Sequence, residues 1–122
     1  MATEFKKVSG ANIGTSLQTI YTTPSNCDTV VIGCLVCNKH SSDITVDIMI
    51  DVETSVTVGG TTNADVYLVK GVTIPTGGSL DIINGNKVVL ANTSSSTGDA
   101  IRILASVNAV SDVLLSILEN TA

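Results

Sequence analysis

Hydrophobic and polar residues alternate most clearly in SDITVDIMIDVE, from Ser42 to Glu53. Ile44, Val46, Ile48, Ile50 and Val52 fall on one side of an extended chain, with Asp43, Thr45, Asp47, Met49, Asp51 and Glu53 on the other. Side chains on a strand point alternately to its two faces, so this period predicts a strand with one face in a core and one in water. Half-exposed strands belong to antiparallel sheets, because parallel ones are covered on both faces. The preceding run, CDTVVIGCLVC (27–37), is apolar nearly throughout and fits a central strand. Polar residues from Asn38 to Ser42 separate the two runs and predict a hairpin between them. A second hairpin is predicted in SLDIINGNKVVL, where Asn84-Gly85 suits the positive φ angles of a type I′ turn.

Further strands are expected in TEFKKV, SLQTIYT, DVYLVKGVTI, AIRILASV and DVLLSILE. The last, Asp112 to Glu119, also fits a short helix, but the turn-forming stretch Asn108 to Ser111 before it favours a strand. Pro24 and Pro75 fall at the ends of runs, where a missing N–H does least harm. VGGTTN, PTGGS and NTSSSTGD supply loops. About eight to nine short strands with regular turn signals predict an all-β chain, an antiparallel β-sandwich or jelly roll. Residues 1–12 read as an N-terminal arm or edge strand, and residues 13–122 as a single β-sandwich domain.

Composition strengthens this reading. There are 16 Thr and 13 Ser, while Phe5, Tyr21 and Tyr67 are the only aromatic residues. β-branched side chains are stiff at χ1 and pack well on a pleated surface. So few aromatics leave little with which to stack on sugars or unpaired bases, which counts against a sugar-binding or receptor-binding tip. Six basic residues against eleven acidic give a net charge of −5, opposite to what nucleic acid or an anionic membrane surface attracts. No apolar run approaches the ~20 residues that cross a bilayer, and MATEFKKVSG has no apolar stretch behind its lysines, so no secretory signal is expected. An odd number of cysteines then suggests reduced thiols in a cytoplasm.

Chemistry is tested by GCLVCNKH, which with Cys27 gathers three cysteines and the single histidine within fourteen residues. A zinc site needs a tight turn to bring two sulfurs to one side, and Leu35 and Val36 are strand formers. On a strand Cys34 and Cys37 face oppositely, as do Cys27 and Cys34 seven residues apart, while His40 lies in the following loop. Small, buried, apolar cysteines are therefore expected, with no metal and no redox pair; melting by a strong chelator would reveal a metal-stabilised domain instead. The stripe Asp43, Asp47, Asp51 and Glu53 is spread along a strand rather than gathered by a loop, so a solvated face is expected rather than calcium. With His40 the only imidazole, and no nucleophile elbow or phosphate loop, no catalytic residue and no cofactor is expected. The sequon Asn92-Thr93-Ser94 matters only in a secretory pathway.

The second half, YLVKGVTIPTGGSLDIINGNKVVLANTSSSTGDAIRILASVNAVSDVLLSILE, resembles a pattern of small virion proteins of tailed bacteriophages. In that pattern an apolar strand runs into IP-x-G-x-S-L. A hairpin with K-V-V-L, a Gly-Asp turn, a strand of I-R-I-x-A-S type and a closing strand ending in Glu follow. SLQTIYTTPSNCDTVVIGCLVCNKHSSDITVDIMI resembles its first half, so the likeness spans residues 13–119. It implies a β-sandwich that sits on a particle as a capsid decoration (cement) protein, or else a tail, neck or fibre component. It further implies the major capsid protein or other virion proteins as partners, and a homo-oligomer, a trimer in many such proteins. The acidic charge suits the capsid exterior, away from packaged DNA, after synthesis in the host bacterial cytoplasm. The arm supplies the candidate contact residues: Phe5 as apolar anchor, with Lys6, Lys7 and Val8 beside it.

Overall fold

The computed structural model describes residues 2–53, 65–83, 87–92 and 98–121. Within these the chain forms β1 (Ala2–Gly10), β2 (Gln18–Thr22), β3 (Cys27–Asn38), β4 (Ile44–Asp51), β5 (Val66–Ile74), β6 (Ser79–Asp81), β7 (Val88–Asn92), β8 (Ala100–Ala105) and β9 (Ser111–Thr121). Every run read as a strand contributes one, DVLLSILE included. No helix among the described residues is long and apolar enough to cross a membrane.

The strands form two antiparallel sheets. One runs β1-β9-β3, with β6 and β7 both on the far edge of β3; the other runs β2-β8-β4-β5. β6 pairs with Leu35 to Cys37, and β7 with Cys27 to Val31. The two short strands therefore lie in line, as one interrupted edge strand. Counted so, the described strands alternate between the two sheets in jelly-roll order, except that β4 and β5 are neighbours in the same sheet.

That order overturns both predicted hairpins. β3 and β4 belong to opposite sheets, and the polar stretch between them is a crossing. Asn38, fully buried at the end of β3, holds it in place. Its side-chain amide donates to the Ser42 carbonyl at 3.0 Å and to the Ile74 carbonyl at 2.9 Å, and its Oδ1 accepts the His40 N–H at 2.8 Å. The Asn84-Gly85 turn lies outside the described residues, but the runs on either side of it both pair with β3 instead of each other. The PTGGS loop does turn tightly: the Gly78 N–H reaches the Pro75 carbonyl at 2.9 Å, with Gly77 at φ 71°, where an L side chain is disfavoured.

The core lies between the sheets. Val31, Val36, Leu90, Leu115 and Ile117 fill it from the five-stranded side, and Ile44, Val46, Ile48, Ile101 and Ile103 from the other, all essentially without solvent contact. Burying each such side chain contributes about 1.5–3 kcal/mol. Most are β-branched, with little rotamer freedom to lose. Two expectations about facing are corrected. A register shift between Val31 and Gly33 inserts an extra residue into β3 against β9, so odd-numbered residues point inward before it and even-numbered ones after it. Cys27 and Cys34 therefore share the inner face, against the prediction. Met49, expected in water, is buried: in register it stands between Tyr67 of β5 and Arg102 of β8, whose large side chains flank it.

Candidate assembly face

The three cysteines are spread along β3 and do not converge. Cys27 and Cys34 are buried on the inner face of β3, about 23 Å apart along the strand at ~3.3 Å per residue. Burial pushes the Cys34 thiol up to about 12, with the Asp81 carboxylate adding to the shift, so it stays protonated. Cys37 is half-buried and faces the other way. Among the described residues no three His, Cys, Asp or Glu side chains gather as metal ligands would.

A polar cluster bridges the two sheets. The Tyr21 hydroxyl on β2 donates to Glu119 Oε2 on β9 at 2.6 Å and lies 2.7 Å from Thr29 Oγ1 on β3. Glu119 Oε1 meets Lys6 Nζ of β1 at 2.8 Å. Burial, seconded by Glu119, raises the Tyr21 hydroxyl above its ordinary value, keeping it a donor. Burial also pushes the Glu119 carboxyl up, but the hydrogen bonds from Lys6 and Tyr21 and the lysine charge outweigh it and hold the group below its ordinary value. Each oxygen of this carboxylate already has a partner within the fold. The cluster ties four strands together.

The sequence-predicted contact residues separate by parity along β1, a strand paired over its whole length with β9 at the edge of the sheet. Lys6 turns toward Glu119, and Val8 packs against the core. Phe5 stands 76% exposed in the outward row with Lys7.

Directly paired residues share a face, so the register maps what surrounds Phe5. Phe5, Leu118, Val30 and Val89 form one row running across β1, β9, β3 and β7. Two positions along, Lys7, Ser116 and Gly33 form a row with a charge at the sheet edge, and the bulge residue Ile32, 40% exposed, stands beside Gly33. Next come Ser9, Leu114, Leu35 and Asp81. Polar residues close both ends, Thr3, Asn120 and Asp28 at one and Asp112 and Cys37 at the other. Val89 is 65% exposed, Leu35 44% and Leu114 42%. Beside Leu35 and Leu114, and bounded also by Ser9, Gly10, Cys37 and Val113, opens a groove of about 290 Å³.

Sequence reasoning singled out Phe5 but missed Val30, Leu35, Val89, Leu114 and Leu118. The signal was present: TVVIGCLV in β3 and VLLSIL in β9 are apolar on both faces, although an antiparallel sandwich needs one apolar face per strand. Such runs report an outer face that gains by being covered.

No protein-family model and no curated protein sequence matches this chain. Solved structures with the same fold do. A chain of the infectious bursal disease virus T13 particle aligns with a TM-score of 0.55 at 13% identity, covering 98% of this chain and 31% of that one. A chain of the Gx strain of the same virus gives 0.53 at 12% identity, with 96% and 32% covered. This chain thus spans about a third of the length of those virus chains. A subunit of the Bacillus endospore appendages, described as disulfide-linked pili, gives 0.51 at 15% identity and covers 98% of this chain and 87% of that one. These likenesses establish a shared β-sandwich fold.

Proposed function

We propose that this chain is a non-enzymatic structural protein of a virus particle, bound as a decoration protein to the outside of the capsid lattice. One observation carries the reading: an apolar row crosses four strands on the outer face of the five-stranded sheet, where the fold itself makes no use of it. Contiguous apolar surface of this kind marks a protein–protein contact. The fold is shared with chains of a virus particle, the polar cluster is engaged internally, and the net charge of −5 suits a position away from packaged nucleic acid. Phe5 is the anchor of the contact, with Lys7 beside it; Lys6 and Val8 support the strand from its inner side.

The endospore appendage subunit, which this chain matches over nearly its whole length, favours a second reading as a component of a tail or fibre. Immunogold electron microscopy of phage particles separates the two. Label over the head supports decoration, and loss of capsid heat stability without the protein would make it a cement. Label confined to the tail or neck selects the second reading, and unlabelled particles refute both.

A further inference from the structure

We propose that the outer face of the five-stranded sheet pairs with the same face of a second copy, about a two-fold axis crossing the strands at the Lys7, Ser116 and Gly33 row. This rests on reading that face as an assembly surface; it makes the apolar row the contact between copies, so that the pair meets the particle through its other surfaces.

The rows carry the argument. Phe5 stands on one side of the Lys7 row, and the groove beside Ser9, Leu35 and Leu114 lies the same number of positions beyond it. A two-fold axis on the middle row sets Phe5 of each copy at the rim of the other's groove. It sets Leu118 over Leu114 and Val30 over Leu35, apolar on apolar, with Val89 over Asp81 at the far edge. The axis passes over Ser116 and Gly33, where a side chain at Gly33 would meet nothing within 4 Å, and it brings the exposed bulge residue Ile32 of each copy beside that of the other, apolar on apolar. The polar ends fall over each other, Asn120 and Asp28 against Asp112 and Cys37, and form the rim.

The area is sufficient. Four strands about 4.8 Å apart, each contributing about eight residues at ~3.3 Å, present a face of roughly 500 Å². Two such faces remove roughly 1,000 Å², the lower bound for a specific pair. Sheets packed face to face lie about 10 Å apart, as in the interior of a sandwich. The two Lys7 side chains meet near the axis at the free sheet edge, where salt screens them, so pairing strengthens as ionic strength rises. An isologous contact closes at two copies.

Analytical ultracentrifugation of the purified chain over a range of concentrations tests this. The expected species is a dimer, tighter in high salt, and Phe5→Glu weakens it at least about tenfold while the urea midpoint, read at a concentration where both chains are monomeric, stays unchanged. A short bismaleimide should join two copies of Ser116→Cys made in a Cys37→Ser background. A native chain that remains monomeric, a trimer, or a dimer whose Ser116→Cys variant does not cross-link each overturns the proposal. Cosedimentation with the particles that the antibody labels isolates the failure. If the native chain is monomeric and Phe5→Glu abolishes particle binding, the face meets another virion protein and the assembly reading stands. If Phe5→Glu changes neither association nor particle binding, both fall.

Discussion

The outer faces of the two sheets carry different chemistry. On the four-stranded sheet, the side chains that leave the core on β4 are largely carboxylates, and they bind the fold's own backbone. Asp47 Oδ1 accepts the Gly71 N–H at 2.7 Å, and Asp43 Oδ1, at the head of the strand, accepts the Thr76 N–H at 3.2 Å. Lys70 lies 3.6 Å from Asp47 Oδ2 and over the ring of Tyr67. On the five-stranded sheet the outward positions of β3 and β9 hold Val30, Leu35, Leu114 and Leu118, which cannot bind backbone. The β4 carboxylates are used within the molecule, so their exposure needs no partner, and the exposed apolar residues described on that sheet are confined to Val66 and Tyr67 on its edge strand β5. The apolar face has no such internal use, and covering it gains roughly 25 cal/mol per Å² of apolar surface.

The comparison predicts that the inner faces behave alike and the outer faces differently. The largest effects belong to the shared core: Leu115→Ala on one sheet and Ile103→Ala on the other should each cost about 2–5 kcal/mol in urea unfolding. A cost near zero for either would mean that its sheet does not seal that side of the core. The tie between the sheets comes next. Glu119→Gln should cost about 1–2 kcal/mol at neutral pH through its lost charge-assisted hydrogen bonds. Its carboxyl is held below the ordinary value, so the stability it contributes is present above that ordinary value and disappears as pH falls through the lowered one. Lys6, raised by its bond to Glu119, contributes below its ordinary value and loses that contribution as pH rises through the raised one. Urea midpoints of Glu119→Gln that fall with acid as steeply as those of the native chain would assign the acid sensitivity elsewhere.

Tyr21→Phe, which removes only the hydroxyl joining Glu119 and Thr29, should cost about 1 kcal/mol by the same measurement. Leu118→Ser and Val30→Thr lie on the outer face, and each should move the stability of the isolated chain by less than about 0.5 kcal/mol while weakening association. If they unfold the chain, the row is part of the core and the contrast between the faces fails. Asp47→Asn should do least: the amide oxygen still accepts from Gly71, and only a 3.6 Å ion pair with the exposed Lys70 is lost. A large drop in the urea midpoint would show that the polar face carries stability of its own.

Much of this fold was legible in the sequence, because strand periodicity is local. Alternation in SDITVDIMIDVE placed Ile44, Val46 and Ile48 inward, as they are. Pairing is not local, and both hairpins failed for that reason. Asn38 to Ser42 has the composition of a turn, but Asn38 uses its side chain to carry the chain across to the other sheet. Nor does period two survive a bulge: the extra residue between Val31 and Gly33 reverses which parity is buried, which hid the common facing of Cys27 and Cys34. Phe5 was found as a lone aromatic on a polar arm, whereas its row partners lay inside runs that read simply as core. Telling the two faces of β3 and β9 apart required the register.

The order of the five-stranded sheet also bears on how the protein is made. β9, the last strand, lies between β1, the first, and β3. Ribosomes add about 5–20 residues per second, so roughly 5–20 s separate the emergence of β1 from that of β9. Throughout that interval β1 has no neighbour in its own sheet, and the apolar edge of β3 that will receive β9 stands open. The nascent chain thus passes through a stage in which its most adhesive segments are uncovered, and completion of β9 closes both edges in a single step.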